Sequence, residues 1–323
     1  MPSFLTPSRR QFLATGLAGL GAAGLLPFAA AAQKDTRNTD VVRLTWGFHG
    51  LTLIAKERGV FEKTLADQGI KVEWLGPFPN HAPTLQAVTG GSADFGFGGS
   101  TTPAFAAILA GSPLVFSQFV LYEPRTTAIN TVPDLIGKSV AVNRSGLGEF
   151  LLVAALEKHG IDSSKVKFVY LNPPDAAPAL ASGKVDAWSM WSPGVDIARL
   201  EYKAHDVFLE GRDLDFFIDY SSYVTSRKFA TENSQIVKAV ANAYEAEAKW
   251  TNANVVEAET IVQKRAGYSE IIRDQFIERK RHYTLIPVTD KAFVAQLQTA
   301  ADWLAARKIL PEKIIVADHL AQY

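Results

Sequence analysis

Residues 137–156 read GKSVAVNRSGLGEFLLVAAL, and the fold of the whole chain is decided by how this stretch is understood. Ser139–Val142 is a short apolar, β-branched run. Asn143–Gly148 is a polar turn containing glycine. From Glu149 to Leu156 apolar residues return at helical spacing, and Gly160 supplies a stop. The spacing predicts a strand, a tight loop and a helix. Such a loop holds backbone N–H groups above the C-terminal end of its strand, where the positive end of the helix dipole favours an anion. A single connection of this kind is equally an ordinary βα turn. Its weight comes from similar turns elsewhere in the chain.

Upstream, Val41–Trp46 reads as a strand, Gly47–Gly50 as a turn, Leu51–Leu65 as a helix interrupted at Gly59, and Lys71–Leu75 as a second strand. That is a βαβ opening, hence a parallel sheet with a right-handed crossover. Ala82–Thr89 is a short helix stopped by Gly90 and Gly91. Ala93–Phe97 is a third strand that ends at Gly98–Thr102. Pro103 fits the first turn of the following helix, with Thr102 as its N-cap. Leu114–Leu121 is an apolar strand. Downstream of the opening stretch, Val166–Tyr170 and Val185–Met190 read as strands, Asp175–Ala181 and Val195–Tyr202 as helices, and Tyr220–Ser226 as a β-rich run returning to the first sheet. Beyond Glu232 the pattern turns helical: Gln235–Thr251, Val255–Arg265, Ile271–Arg281 and Asp290–Arg307, with no strand expected between them.

The 323 residues suit two domains. A formal net charge of zero removes the basic excess that nucleic-acid binding needs. With no cysteine, disulfides, thiolate metal sites, a cysteine nucleophile and a lipoprotein anchor are excluded. At the N-terminus Ser8-Arg9-Arg10-Gln11-Phe12-Leu13 is a twin-arginine pattern. Ala14–Phe28 is apolar but rich in glycine, and Ala29–Ala32 offers small residues for cleavage. Residues 1–32 therefore read as a twin-arginine signal peptide, and the chain as a client of the twin-arginine export machinery. The apolar run falls short of the ~20 residues that span a bilayer.

Polar or aromatic turns recur at Gly47–Gly50, Gly98–Thr102, Asn143–Gly148 and Trp191–Gly194, each at the C-terminal end of an expected strand, where open α/β sheets bind ligands. Hydroxyls at Ser100, Thr101, Thr102 and Ser145 suit a small oxyanion, and aromatics at Phe48, Trp188, Trp191 and Tyr223 suit an organic group. Each has an ordinary alternative. Ser and Thr at helix starts are commonly N-caps. Alternation along a strand puts Trp188 and Trp191 on opposite faces, which makes Trp188 a core candidate. Arg144 reads as a surface arginine and Glu149 as a dipole cap. The six histidines form no pair at metal-ligand spacing, and no G-x-S-x-G elbow or Walker loop is present. His49, in the first turn, is the one histidine placed at the candidate site.

Four segments carry a resemblance: LTLIAKERGVFEK (Leu51–Lys63), GGSADFGFGGSTTPAFAAILAG (Gly90–Gly111), DLIGKSVAVNRSGLGEFLLVAAL (Asp134–Leu156) and GKVDAWSMWSPGVDIA (Gly183–Ala198). In order and spacing the chain resembles the periplasmic solute-binding proteins of ABC importers of the aliphatic sulfonate, taurine and nitrate type. The resemblance implies an α/β, two-lobed type II periplasmic binding protein fold with a hinge and a helical C-terminal segment. Lobe 1 would comprise residues 41–122 and 224–323, and lobe 2 residues 123–223. It also implies a periplasmic, non-enzymatic protein without cofactor or metal, an inner-membrane permease as partner, and a small organic anion as ligand. Carried over, the ligand-binding positions are Phe48, His49, Ser100, Thr101, Thr102, Asn143, Ser145, Gly146, Leu147 and Trp191; the residue reading adds Tyr223. Two departures bear on the ligand. Trp191-Ser192-Pro193 stands where the family often has W-D-P, and Asn143-Arg144-Ser145 where it often has a Lys or Thr, Gly, Ser loop. With the aromatics, they turn the expectation from a short alkyl sulfonate toward a larger or aryl one. Nitrate, a pyrimidine or an aromatic carboxylate in the same fold remain open, as does an exported enzyme related to pyrimidine-precursor synthesis.

Overall fold

The N-terminal strand β1 (Val41–Gly47) organises the larger of two sheets. Two helices follow it, α1 (Leu51–Arg58) and α2 (Val60–Ala66), parted at Gly59, whose φ of 61° lies in the left-handed region that favours glycine. Then come β2 (Lys71–Phe78), α3 (His81–Thr89), β3 (Phe95–Ser100), α4 (Thr101–Leu109) and β4 (Leu114–Glu123). The computed structural model describes residues 36–123, 131–144, 146–210, 213–214 and 217–323. The signal peptide expected over residues 1–32 and the candidate Ser145 lie outside the described residues.

The opening stretch folds as read. β5 (Ser139–Val142) leads into α5 (Leu147–Lys158), and β6 (Lys167–Tyr170), α6 (Pro173–Ala181), β7 (Ala187–Trp188) and α7 (Gly194–Glu201) follow. These strands form a three-stranded parallel sheet in the order β6-β5-β7. The chain then returns through β8 (Ser221–Ser226) and continues with α8 (Arg227–Glu232), α9 (Ser234–Ala253), α10 (Val255–Ala266), α11 (Glu270–Glu278), β9 (His282–Pro287) and α12 (Lys291–Ala306). The larger sheet runs β2-β1-β3-β8-β4-β9. β1 is parallel to β2 and β3, whereas β8 is antiparallel to β3 and β4, and β9 is antiparallel to β4.

Three expectations need correcting. The C-terminal segment is not purely helical: β9 interrupts it as an edge strand, and the helix expected over Ile271–Arg281 ends at Glu278. HYTLIP buries only Tyr283 and Ile286 fully, so its alternation was too short to register against the helical patterns around it. The strand expected over Val185–Met190 is ordered as strand only at Ala187–Trp188. Thr102 is not the N-cap of α4; Ser100 holds that position without a side-chain cap bond.

α5 ties the layers together. Its residues Phe150, Leu151 and Ala154 belong to the apolar cluster that holds Phe105, Phe116, Phe119, Phe293 and Leu304 under the larger sheet. Its residues Leu152, Ala155 and Leu156 pack with Val140 and Val142 of the smaller sheet. A helix apolar on nearly all sides is a helix buried on nearly all sides. At roughly 1.5–3 kcal/mol for each large buried apolar side chain, α5 contributes to both cores at once.

Candidate functional site

A cavity of about 1460 Å³ lies between the two sheets. The larger sheet contributes His49 after β1, Gly98–Ser100 at the end of β3, and Asp219–Ser221 leading into β8. The smaller sheet contributes Asn143 and Arg144 after β5, Leu147 of α5, and Trp188–Ser192 after β7. All but Asp219–Ser221, which enters the antiparallel β8, lie at or beside the C-terminal ends of parallel strands, where the recurring turns were expected.

On the first wall, the close approach of His81 to β3 demands glycine: a Cβ on Gly99 would sit 2.4 Å from His81 Cγ. His81 is buried, and its Nδ1 lies 2.8 Å from the Ser100 carbonyl. That bond assigns the proton to Nδ1 and leaves Nε2 as the unprotonated nitrogen. Burial pushes the His81 pKa down to about 4, so the ring is neutral at pH 7. At the start of α4, Thr101 Oγ1, Thr102 N and Thr102 Oγ1 all donate to Asp219 Oδ1, at 2.8, 3.0 and 3.0 Å. Tyr220 N donates to Thr101 Oγ1 at 3.2 Å, and Thr101 N to the Tyr220 carbonyl at 2.8 Å. The segment returning to β8 is thus pinned to this helix N-terminus by a buried carboxylate.

The second wall is built differently. Asn143 Oδ1 accepts from Gly148 N at 3.2 Å. A Cβ on Gly148 would meet the Ser189 carbonyl oxygen at 2.2 Å, so this close approach of backbone requires glycine, and one on Gly146 would meet Asn143 Nδ2 at 1.7 Å and displace the Asn143 amide. Arg144 stacks over the Tyr170 ring at 3.7 Å, and the Tyr170 hydroxyl donates to Glu149 Oε1 at 2.8 Å. Ser192 Oγ donates to the buried Asp196 Oδ2 at 2.7 Å. Asp196 also pairs with Arg199 at 3.4 Å and with Arg279, beyond α11, at 3.6 Å.

Of the residues read from sequence, His49, Ser100, Asn143, Leu147 and Trp191 line the cavity, and Trp188 does both, lining it while packing partly buried against the apolar cluster of Ala141, Ala176 and Val185. Thr101 and Thr102 are fully buried behind the wall, bonded to Asp219. Gly146 lies behind Asn143. Tyr223 is buried, stacked on Tyr244 with ring centroids 4.1 Å apart. Phe48 is 41% exposed, edge-on to Trp46, and outside the lining. Sequence reasoning missed His81, Asp219 and Arg281. His81 was the nearest to legible, standing at the start of an expected helix. Arg281 approaches from β9; its charge, added to burial, pushes His49 down to about 4. Among the described residues no group of three or more His, Asp or Glu is placed to hold a metal, and no helix is long and apolar enough to cross a membrane.

The profile of the NMT1/THI5-like family matches residues 47–258, which include both walls. The chain belongs to that family. It is 27% identical to a putative aliphatic sulfonates-binding protein of Escherichia coli (strain K12) over 313 residues, 94% of this chain and 95% of that protein. It is 30% identical to a putative binding protein of Brucella abortus (strain 2308) over 264 residues, 79% and 78% of the two chains. The crystal structure of the periplasmic aliphatic sulphonate binding protein SsuA from Escherichia coli superimposes with a TM-score of 0.73 at 25% identity, covering 88% of this chain and 98% of that one. The periplasmic binding protein fold expected from sequence is therefore the fold of this NMT1/THI5-like chain. Arg279, Arg281 and Tyr283, which reach the cavity from the C-terminal segment, lie beyond the stretch that the family profile matches.

Proposed function

We propose that this chain is the periplasmic solute-binding component of an ABC importer, which captures an organic sulfonate between its two sheets and delivers it to a membrane permease. The observation that carries the reading is a cavity walled by strand ends from both sheets. A ligand seated there touches both layers at once, which is what couples binding to closure. His49, Ser100, Asn143, Leu147 and Trp191 are its contacts, with Ser145 retained from the sequence. Thr101, Thr102, Gly146 and Tyr223 support those contacts from behind. The protein acts by binding rather than turnover, and the twin-arginine signal peptide over residues 1–32 exports it already folded.

Size and lining narrow the ligand class. The cavity exceeds the range of ~300–1000 Å³ typical of small-molecule pockets. Trp188 and Trp191 present large apolar surfaces to it. An aryl or longer alkyl sulfonate fits this lining better than nitrate or taurine. The test is a thermal-shift screen of the mature chain against alkyl and aryl sulfonates, taurine, nitrate, sulfate, carboxylates and pyrimidines. A ligand that binds only the native state raises the melting temperature once its concentration exceeds Kd. Aryl and longer alkyl sulfonates are expected to give the largest shifts. A response confined to pyrimidines or carboxylates refutes the sulfonate reading, and turnover of any of these compounds refutes the binding-protein reading.

A further inference from the structure

Arg281 comes just before β9, in a part of the sequence where no motif marks a site. Its side chain is 12% exposed. Two neighbours fix it: Nε lies 3.4 Å from Glu259 Oε1, and the guanidinium carbon lies 3.5 Å from the centroid of the Phe276 ring. The Tyr268 hydroxyl donates to the second Glu259 oxygen at 3.4 Å, which holds the carboxylate in turn. Tyr283 lies beside the guanidinium; burial raises its phenol and the Arg281 charge opposes that rise. Arg281, Phe276 and Tyr283 line the same cavity as His49.

A guanidinium carries five N–H donors and no acceptor. Here Nη2 is buried and no carboxylate or carbonyl oxygen accepts from it, the Tyr283 hydroxyl beside the guanidinium being a neutral partner only. Leaving a buried charged donor unsatisfied is costly, so such a group in a native protein calls for an explanation. We propose that Arg281 anchors the anionic head of the ligand, a sulfonate oxygen supplying the charged acceptor that Nη2 lacks. The inference rests on the sulfonate reading above and names the residue that makes the site select an anion. The complement of a fixed, donor-only, planar cation is a group with several negatively charged oxygens, and the fork geometry suits two of them at once. Glu259 and the Phe276 ring act as positioning groups: they hold the guanidinium in place before the ligand arrives.

The experiment is isothermal titration of the mature chain with hexanesulfonate, benzenesulfonate and the neutral isostere benzenesulfonamide. Arg281→Met alone strands Glu259 without its partner, so the double variant Arg281→Met/Glu259→Gln is measured with it, together with Arg281→Lys. The wild type is expected to bind the sulfonates and reject the sulfonamide. The double variant, with its circular dichroism and melting temperature close to wild type, is expected to lose sulfonate affinity on the order of 10- to 100-fold and with it the preference over the sulfonamide. Arg281→Lys keeps the charge but not the fork, and is expected to lose roughly 10-fold. Wild-type sulfonate affinity in either the double variant or Arg281→Lys overturns the anchor while leaving the sulfonate reading intact. A wild type that binds neither sulfonate overturns both.

Discussion

Two helix N-termini open beside one cavity, and they are completed in opposite ways. At α4 a buried carboxylate, Asp219, accepts three bonds through a single oxygen. At α5 the first turn has one neutral side-chain acceptor among the described residues, Asn143 at 3.2 Å. The two loops look alike in sequence: GGSTTP and NRSGLG are both small, polar and glycine-containing. What separates them is a residue 118 positions away from Thr101 that reaches one N-terminus and not the other. An N-terminus whose amide and hydroxyls are bonded directly to a buried anion is a structural joint, whereas at α5 a neutral amide holds Gly148 N and the first-turn carboxylate, Glu149, accepts from the Tyr170 hydroxyl.

The largest effect is expected from breaking the joint. Asp219→Ala removes a buried acceptor from three donors at once and also frees the segment that leads into β8. The expected loss is about 4 kcal/mol of stability, read as a lowered urea midpoint or melting temperature. If Asp219→Ala leaves both unchanged, the first wall is no more tightly built than the second and the contrast fails.

A second test uses the same wall and pH. His81 packs on Gly99 and is held neutral, its pKa pushed down to about 4 by burial against an ordinary value of 6.5. Between those two values the unfolded chain binds a proton that the folded chain does not. Stability is therefore complete above pH 6.5 and falls as pH drops toward 4, with no further loss from this group below that. At about 1.4 kcal/mol per pH unit, the window is worth up to about 3 kcal/mol. Urea melts from pH 7 to pH 4 should show that slope added to one of the same sign from His49, whose pKa is also pushed down to about 4, and His81→Gln should remove its own share and leave the rest. An unchanged slope in the variant would mean that other groups drive the acid sensitivity.

The parallel sheets and their strand-end turns were legible because they depend on local patterns: apolar runs of four to eight residues, glycine stops and polar turns at regular spacing. The helix break at Gly59 and the loop after β5 came out as read. Side-chain direction was not legible. Thr101 and Thr102 stand in the right turn but point inward, because Asp219 is there to receive them. Tyr223 lies on β8, which enters the larger sheet antiparallel between β3 and β4, and its ring is buried against Tyr244. Arg281 was invisible for a related reason. Its place at the cavity follows from β9 pairing with β4, a contact between segments far apart in the sequence that no short window contains.

The smallest effect sharpens the comparison most, because it makes the second wall resemble the first. Asn143→Asp keeps the shape and the acceptor toward Gly148 N, and it adds a negative charge at the first turn of α5. A carboxylate there interacts favourably with the helix dipole, so stability should rise by about 0.5 kcal/mol. Sulfonate affinity should move the other way, falling roughly 10-fold, because the added charge takes the position that an anionic ligand would use and repels it across the cavity. Opposite signs in the two measurements are what a purely structural Asn143 does not produce: if its only task were to cap α5, a better cap would leave affinity unchanged. Calorimetric melting and titration with benzenesulfonate on the same preparation decide it. A rise in stability with no change in affinity would return Asn143 to the role that Asp219 plays at α4.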